Sequence, residues 1–241
     1  MNIELSSKDK IKGTIIPHEI SPDLAYLCGI LAGDGCIYYR KARNDYVIKC
    51  VGNPADEQEL YYQVIGPIFK KVFGFVPKIK HHDSNTTFGF EIHSKAIFTY
   101  LTQIIGLCNG RKEQQLQIPA ILRDKHVLSF IRGVFDTDGC VCFKKRYKSY
   151  PYYPVISFSS KSKKLTQQIA EILKKKGFKI VETYDYKITD KRIIAGYTII
   201  NRIELNGENN LRKWLEIINF SSPKHLRKIK NRWEGNSGER I

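Results

Sequence analysis

The chain has 241 residues, 42% of them hydrophobic, so it is long enough to bury a substantial core in one large domain or two small ones. It carries 40 Lys and Arg against 24 Asp and Glu, a formal net charge of +16, which favours a polyanionic partner, although an ordinary basic protein has the same property. Six cysteines without a Cys-x-x-Cys pair match neither a zinc site nor a secreted disulfide framework. No apolar run approaches the ~20 residues that cross a bilayer. We therefore expect a soluble cytoplasmic protein without membrane contact and leave an organellar location open.

The first clear element follows an N-terminal extension, residues 1–20, that has no strong periodicity. A helix is predicted over 21–35, because Ser21 suits the N-cap and Pro22 suits the first helical position. The helical run is apolar and ends in Asp34 followed by glycine. Both ends of this helix are therefore marked in the sequence.

The rest of the first half, 21–106, alternates strand pairs with helices. Alternating apolar residues and turn signals predict strands over 36–40, 46–51, 76–82 and 88–93, with helices from Asn53 towards Gly74 and from Ser94 to near Gly106. Gly66 and Pro67 are expected to kink or split the first of these two helices. The predicted order is helix, two strands, helix, two strands, helix.

The second half repeats this order after a connector, residues 107–124, that carries some local helix. For 125–220 we predict a helix starting near Asp124, strands over 139–146, 154–159, 179–186 and 197–205, and helices over 162–176 and 211–218. Residues 221–241 form a basic tail. Its lysines and arginines either contact phosphates or are simply solvated.

Two segments of the chain are copies of each other. Leu-Cys-Gly-Ile-Leu-Ala-Gly-Asp-Gly ends at Gly35, and Ile-Arg-Gly-Val-Phe-Asp-Thr-Asp-Gly ends at Gly139. Glycines inside a helix cost ~1 kcal/mol each relative to alanine, so the shared glycine at Gly29 and Gly133 needs a packing reason, and each helix is the natural partner of the other.

Such a helix pair would carry two acids to one place. If the helices pack as parallel twins about a pseudo-twofold axis, Asp34 and Asp138 emerge side by side at the same end. Two helix C-termini and two carboxylates are all negative there, so a cation is required. A divalent ion with oxygen ligands, most naturally Mg²⁺, meets that requirement.

Both segments resemble the signature of the LAGLIDADG homing endonucleases, in the single-chain form that carries two copies. One Gly-Asp-Gly after an apolar helix is more often a solvated acid before a helix-ending glycine, but two copies in a strongly basic chain favour the resemblance. The resemblance implies an α+β fold of two pseudo-symmetric αββαββα repeats, whose antiparallel sheets form a concave DNA-binding saddle in a monomer. It also implies an intron-encoded endonuclease that makes double-strand breaks in a long, roughly pseudo-palindromic DNA target.

The resemblance further assigns the chemistry to particular residues. Asp34 and Asp138 would hold Mg²⁺ or Mn²⁺, one acid for each cleaved strand, with help from the backbone carbonyls of Gly33 and Thr137. Asp136 lies on another helical face and is predicted to be structural or peripheral.

Family members usually carry a lysine at the end of the second strand of each half, where it shapes the water network. Lys161, after Ser160, fits that position, although it could equally be an ordinary surface lysine. The first half departs from the pattern, because Gly52 and Asn53 occupy the matching place and the nearest lysine is Lys49. We therefore expect the two strands to be cut at different rates.

Strand alternation gives candidate DNA contacts, each of which could be one residue out of register or merely solvated. The candidates are Tyr38, Arg40 and Lys49 in the first half and Lys145, Ser157, Ser159 and Asn201 in the second.

The alternatives belong to other functional classes. An intron maturase of this fold would bind intron RNA and cut little or no DNA. A DNA-binding regulator would have lost its acids, yet both are present. An intein would need splicing residues at its ends, which the chain lacks, and a purely structural basic protein leaves the two matched acids unexplained.

Overall fold

A computed structural model describes residues 3–112, 115–123, 126–145 and 152–233. The chain forms two compact units. The first contains the chain up to residue 111 together with 118–137 and 221–224, and the second contains 112–117, 138–220 and the chain from 225 onward. Within the described ranges, no helix is long and apolar enough to cross a membrane.

The first unit contains a four-stranded antiparallel sheet. Its strands are β1 (Gly35–Arg40), β2 (Asp45–Gly52), β3 (Ile79–His82) and β4 (Thr87–His93), in the order β1-β2-β4-β3. Ile37, Ile48, Phe90 and Ile92 point from one face of the sheet into the core, while the opposite face carries polar side chains. This open face is one candidate surface for a partner.

The helices of the first unit lie on the core side of the sheet, away from the open face. They are α1 (Ser7–Ile11), α2 (Pro22–Gly33), α3 (Gly66–Phe73), α4 (Lys95–Thr99) and α5 (Val127–Thr137). Ser21 caps α2 as predicted, since its hydroxyl accepts a hydrogen bond from the Leu24 N–H. The N-terminal extension, predicted without an element, contains α1, which begins with a capping box between Ser6 and the buried Asp9.

Two of these helices contain π-helical turns. One turn, Leu60–Ile65, leads directly into α3, and the other, Tyr100–Ile105, extends α4 up to Gly106. Pro67 lacks the N–H that an α-helix would use, and the wider turn before it absorbs the irregularity. The helix is therefore continuous through Gly66 and Pro67 rather than split.

The second unit repeats the architecture of the first. Its strands are β5 (Gly139–Lys144), β6 (Tyr153–Ser160), β7 (Ile180–Thr189) and β8 (Tyr197–Asn206), in the order β5-β6-β8-β7, and its helices include α6 (Lys163–Lys175) and α7 (Glu208–Ile217). The same strand order in both sheets confirms the predicted α+β fold of two pseudo-repeats. The exact domain boundaries that we drew stay a prediction.

The predicted basic tail begins with a helix, α8 (Pro223–Arg232). Two of its residues, His225 and Ile229, are buried. The predicted helix start at Asp124, the hairpin tip over 146–151 and the end of the tail over 234–241 lie outside the described residues.

The two signature helices pack directly on each other inside the first unit. A Cβ built on Gly29 would lie 2.1 Å from the carbonyl oxygen of Phe130 and 3.0 Å from the Cα of Gly133. A Cβ built on Gly133 would lie 2.3 Å from the carbonyl oxygen of Tyr26 and 3.0 Å from the carbonyl carbon of Gly29. The equivalent glycines of the two copies thus face each other, as a pseudo-twofold axis between the helices requires.

Candidate functional site

Asp34 terminates α2 at the point where the chain turns into β1. It is the C-cap residue, and its N–H donates to the carbonyl oxygen of Ile30 over 3.0 Å. The residue is half-buried. The end of a helix carries partial negative charge, so the Asp34 carboxylate lies where a cation is favoured.

A second carboxylate lies close to Asp34. A Cβ built on Gly52, the last residue of β2, would lie 3.2 Å from Oδ2 of Asp34 and only 1.8 Å from Oε2 of Glu57. The two carboxylates therefore border the space that a side chain at Gly52 would fill. Glu57 is buried, and its Oε2 accepts a hydrogen bond from the Asn53 N–H over 2.7 Å.

A lysine neutralises this second carboxylate. The Nζ of Lys224, in the first turn of α8, donates to Oε1 of Glu57 over 2.6 Å and lies 3.6 Å from Oδ2 of Asp56. Burial alone would lower the pKa of Lys224, but the hydrogen bond and charge of Glu57, together with Asp56, raise it above the usual value. Lys224 is therefore a permanent cation beside the carboxylates.

A buried tyrosine and a buried cysteine lie close to these carboxylates. Tyr61 is fully buried, and its hydroxyl lies 3.6 Å from the Cys50 thiol. Burial raises the pKa of Tyr61 far above its usual range, and the Cys50 thiol and the carboxylates of Asp34 and Glu57 add to the shift. Tyr61 therefore stays protonated and uncharged beside Asp34 and Glu57.

Asp136 is a structural residue, as its position on another helical face predicted. Its carboxylate is fully buried and accepts hydrogen bonds from the Tyr26 hydroxyl over 2.8 Å and from the N–H groups of Ser221 and Ser222. Burial raises the pKa of Asp136 to about 6, against the lowering effect of these hydrogen bonds. The contacts fix the segment that immediately precedes Lys224.

The second copy presents the equivalent residues at the equivalent place. Thr137 ends α5 and turns its hydroxyl back to the carbonyl oxygens of Gly133 and Val134, 3.1 Å away in each case. Asp138 follows, exposed, immediately before β5. Because Asp34 and Asp138 belong to different units, their meeting in one site stays a prediction.

Lys161 lies just beyond the end of β6 and is exposed. Its backbone carbonyl accepts a hydrogen bond from the amide of Asn201 over 3.2 Å. The position is the one that the resemblance gives to the auxiliary lysine, and that role stays a prediction.

The open face of the first sheet carries the three residues predicted there. Strand pairing places Tyr38, Arg40 and Lys49 on the side opposite the core. Arg40 forms ion pairs with Asp45 at 3.2 Å and Glu91 at 3.3 Å. The Nζ of Lys49 donates to both carboxylate oxygens of Asp83, at 3.0 and 2.8 Å, and any auxiliary role for Lys49 stays a prediction.

The open face of the second sheet carries some of the residues predicted there. Ser157 and Ser159 are half-buried on this face, and Ser159 accepts a hydrogen bond from Arg202. Lys145 is exposed but follows the end of β5, so the lysine that lies within the strand is Lys144, which pairs with Glu204 at 3.6 Å.

The prediction that Asn201 contacts DNA is wrong, because its side chain is 1% exposed. The amide oxygen accepts from the Asp185 N–H, and the amide nitrogen donates to the carbonyl oxygens of Ser160 and Lys161. Asp185 lies in a bulge of β7 with a φ of 55°. Asn201 therefore holds this bulge in place from the core face.

The oxygen donors fit a divalent ion that shares its coordination with a substrate. Within the described ranges, no group of three or more His, Cys, Asp or Glu side chains is arranged to hold a metal ion on its own. Mg²⁺ characteristically uses one or two carboxylates and completes its shell with water and phosphate oxygens. The Asp34 carboxylate and the Gly33 carbonyl offer such a partial set.

The sequence did not identify Glu57 or Lys224 as site residues. Glu57 falls within the helix predicted from Asn53 towards Gly74, and Lys224 falls within the predicted basic tail. The two residues are 167 positions apart, so no local spacing connects them. They meet because Ser221 and Ser222 bind to Asp136 and thereby bring Lys224 next to Glu57.

Comparisons with known proteins agree with the architecture. Residues 125–219 match the family model of the LAGLIDADG-like domain. The uncharacterized protein MJ0398 of Methanocaldococcus jannaschii is 29% identical over 175 residues, which are 69% of this chain and 59% of that relative. The match therefore spans less than two thirds of the length of the curated relative.

Solved structures share the fold at low identity. I-DmoI in complex with DNA and Ca has a TM-score of 0.57 at 17% identity, covering 87% of this chain and 97% of that one. I-DmoI in complex with DNA and Mn has a TM-score of 0.55 at 20% identity, covering 84% and 99%. I-SmaMI bound to an uncleaved DNA target has a TM-score of 0.50 at 13% identity, covering 90% and 94%. Residues 125–219 thus match the LAGLIDADG-like domain, and the whole chain shares the two-repeat fold of I-DmoI.

Proposed function

We propose that the chain is a site-specific endonuclease that cuts both strands of a long double-stranded DNA target by metal-dependent phosphodiester hydrolysis. The observation that carries the proposal is the placement of Asp34. Its carboxylate caps the C-terminus of α2, where negative charge accumulates and where the chain enters an open sheet. Asp138 follows α5 in the same way, so the chain offers one acid for each strand.

The metal chemistry belongs to this proposal. Asp34 and Asp138, with the carbonyls of Gly33 and Thr137, would hold Mg²⁺ or Mn²⁺. A divalent ion bound there supplies charge that neutralises the scissile phosphate and lowers the pKa of a bound water. The chain's own contribution is to hold the acids at the ends of two helices that pack closely through glycine.

DNA is the polyanion that best fits the remaining features. Relatives of the same fold have been solved with DNA and with Ca or Mn. The net charge of +16, the half-buried Tyr38 and Ser157 on the open sheet faces and the exposed Lys145 suit contacts with bases and phosphates. A single chain carries both repeats, so we propose that it acts as a monomer, and the family resemblance makes an intron its proposed coding context.

The proposal is tested by cleavage of a randomised double-stranded DNA library in Mg²⁺, with Mn²⁺ as a second condition. Wild-type protein should cut both strands of one recoverable sequence. Asp34→Asn and Asp138→Asn should each leave that target nicked, in opposite strands. Asp190→Asn, which alters a half-buried carboxylate paired with Arg192 between β7 and β8, should cut like wild type.

One outcome would replace the proposal. If wild-type protein leaves every DNA intact in both ions but binds structured intron RNA, the chain acts as a maturase. Asp34 and Asp138 would then be remnants of the fold without a role in cleavage.

A further inference from the structure

The two repeats differ where each second strand ends. Gly35 pairs with Cys50 at the start of the first hairpin, and Gly139 pairs with Phe158 at the start of the second. Counting two and three residues onward, Gly52 corresponds to Ser160 and Asn53 corresponds to Lys161. The first repeat therefore has no side chain where the second has Ser160, and an asparagine where the second has Lys161.

Glu57 fills the space left by Gly52. A Cβ on Gly52 would lie 1.8 Å from Oε2 of Glu57. No side-chain carbon fits at that distance. The glycine thus admits the Glu57 carboxylate to the end of β2, beside Asp34. The Asn53 N–H holds one oxygen of that carboxylate, and Lys224 holds the other.

Lys224 is held in place by its surroundings. Its side chain is 16% exposed and bonds directly to Glu57, which is 8% exposed. The two residues that precede Pro223 donate their N–H groups to the buried carboxylate of Asp136. A long, flexible lysine side chain thus begins from a fixed backbone and ends on a fixed carboxylate.

The charge at this place explains the need for a cation. The C-terminus of α2, the Asp34 carboxylate and the Glu57 carboxylate are all negative and lie around the end of β2. Two adjacent carboxylates repel each other, and the Lys224 ammonium removes that repulsion by neutralising Glu57. Under the proposed function, Asp34 is the carboxylate that holds the metal ion.

We propose that Lys224 is a positioning residue of the first cleavage site: by pairing with Glu57 it cancels the second negative charge beside Asp34, and so takes the place that the resemblance gives to Lys161 in the second repeat. The inference rests on the proposed endonuclease function. It assigns the cation of the first site to a helix outside the αββαββα repeat that contains Asp34. The two strands of the target would then depend on two different lysines.

The test is single-turnover cleavage of the recovered target, with each strand labelled separately and with saturating protein. Lys224→Met should slow the cut that Asp34→Asn abolishes by about tenfold or more, and should leave the other cut within about twofold of wild type. Lys161→Met should produce the opposite asymmetry. Lys224→Arg should restore most of the lost rate, because a cation returns to Glu57.

Lys230→Met is the matched control, because it removes the same charge from an exposed position on the same helix. If Lys230 binds a phosphate of the target, its replacement would weaken binding for both strands alike, so the ratio of the two cutting rates should equal that of wild type. Measuring the ratio at saturation separates positioning at one site from general DNA affinity.

A second readout needs neither metal nor DNA. Urea unfolding of the full chain with Lys224→Met, with Glu57→Gln and with both changes forms a double-mutant cycle. The two changes together should cost less than the sum of their separate costs, because either change alone already breaks the pair. Purely additive costs would mean that the pair does not form in solution, and the inference would be wrong.

The outcomes separate the inference from the function on which it rests. If wild-type protein cuts no DNA, the endonuclease proposal fails and the inference fails with it. If wild-type protein cuts both strands but Lys224→Met slows both equally, or neither, the inference alone is wrong. If Lys224→Met unfolds, Lys224→Arg and Glu57→Gln decide the question by the same strand ratio.

Discussion

Asp136 connects three parts of the first unit. It stands two residues before Asp138, which is proposed to bind metal, but its own role is structural. Its carboxylate receives the Tyr26 hydroxyl from α2 and two backbone N–H groups from the segment before α8. A buried acceptor with three donors is costly to remove, because every donor is left without a partner.

Asp136→Ala should therefore lower the free energy of unfolding by about 3 to 5 kcal/mol. Urea or thermal unfolding measures the loss. Asp190→Ala, which removes a half-buried partner of the exposed Arg192, should change it by about 1 kcal/mol or less. Equal losses for the two variants would show that the Asp136 hydrogen bonds contribute little.

Asn201 offers a second prediction at the level of single side chains. Asn201→Ala should cost about 2 kcal/mol, because the bulge of β7 loses its acceptor and two backbone carbonyls lose their donor. Asn209→Ala, exposed on α7, is the control and should be close to neutral. If Asn201→Ala instead weakened DNA binding without loss of stability, the structural role described above would be wrong.

Some of these residues were accessible from the sequence and others were not. The cap Ser21 follows from local chemistry and is confirmed, and the helix that local chemistry predicts to end at Gly35 ends at Gly33, with Asp34 as its C-cap. Asn201 was misplaced because two consecutive isoleucines, Ile199 and Ile200, leave the strand alternation ambiguous beside a bulge. Glu57 and Lys224 meet only through the tertiary course of the chain, which no local pattern encodes.

The pair of α2 and α5 is the element on which the first unit depends. Every residue from Leu24 to Ala32 is buried, so α2 has no solvent-facing side over that stretch. Gly29 and Gly133 allow the two backbones to approach to a distance at which a Cβ would overlap a carbonyl oxygen.

Gly29→Ala should destabilise the protein by about 3 kcal/mol or more. Alanine normally stabilises a helix by ~1 kcal/mol relative to glycine, so the clash with the Phe130 carbonyl must reverse the sign. Thermal unfolding provides the measurement, with Lys164→Ala at an exposed position of α6 as the control. A stabilised Gly29→Ala variant would rule out the close packing of the two helices.

Element prediction succeeded where a periodic pattern had marked ends. The order of strands and helices in both repeats follows from alternation, caps and glycines, and the structure shows the same order. The helix α8 was missed because it is mostly charged and buries only His225 and Ile229 among the described residues that follow Pro223. Ser222 followed by Pro223 is a helix-start signal that could have located it. The π-helical turns have no comparable sequence signal.

Some cations on the open sheet faces form ion pairs with acids, and others are exposed to solvent. Several cations are already paired on the open faces, as Arg40 and Lys49 are, whereas Lys80 is an exposed residue that the pairing with Gly89 places on the same face as Lys49. Contacts between such residues and phosphates release counterions, so affinity for DNA should depend steeply on salt.

The logarithm of the association constant should fall with the logarithm of salt concentration, by ~0.9 for each neutralised phosphate. Lys80→Met should reduce that slope by about one contact. Lys175→Met, on α6 and paired with Glu171, should leave it unchanged. Fluorescence anisotropy with the recovered target over a salt series measures all three, and a flat response of the wild type would contradict the sheet faces as the DNA-binding surface.

The contact between Gly29 and Gly133 also has a consequence for how the gene can vary. Each glycine is the steric environment of the other, so a larger residue at one position removes the room that the other position needs. The two codons are far apart in the reading frame, yet selection acts on them as one character. Because the atoms that a side chain would strike are backbone atoms of the partner helix, a substitution at one position cannot be relieved at the other, and both positions should stay glycine among relatives that retain both copies.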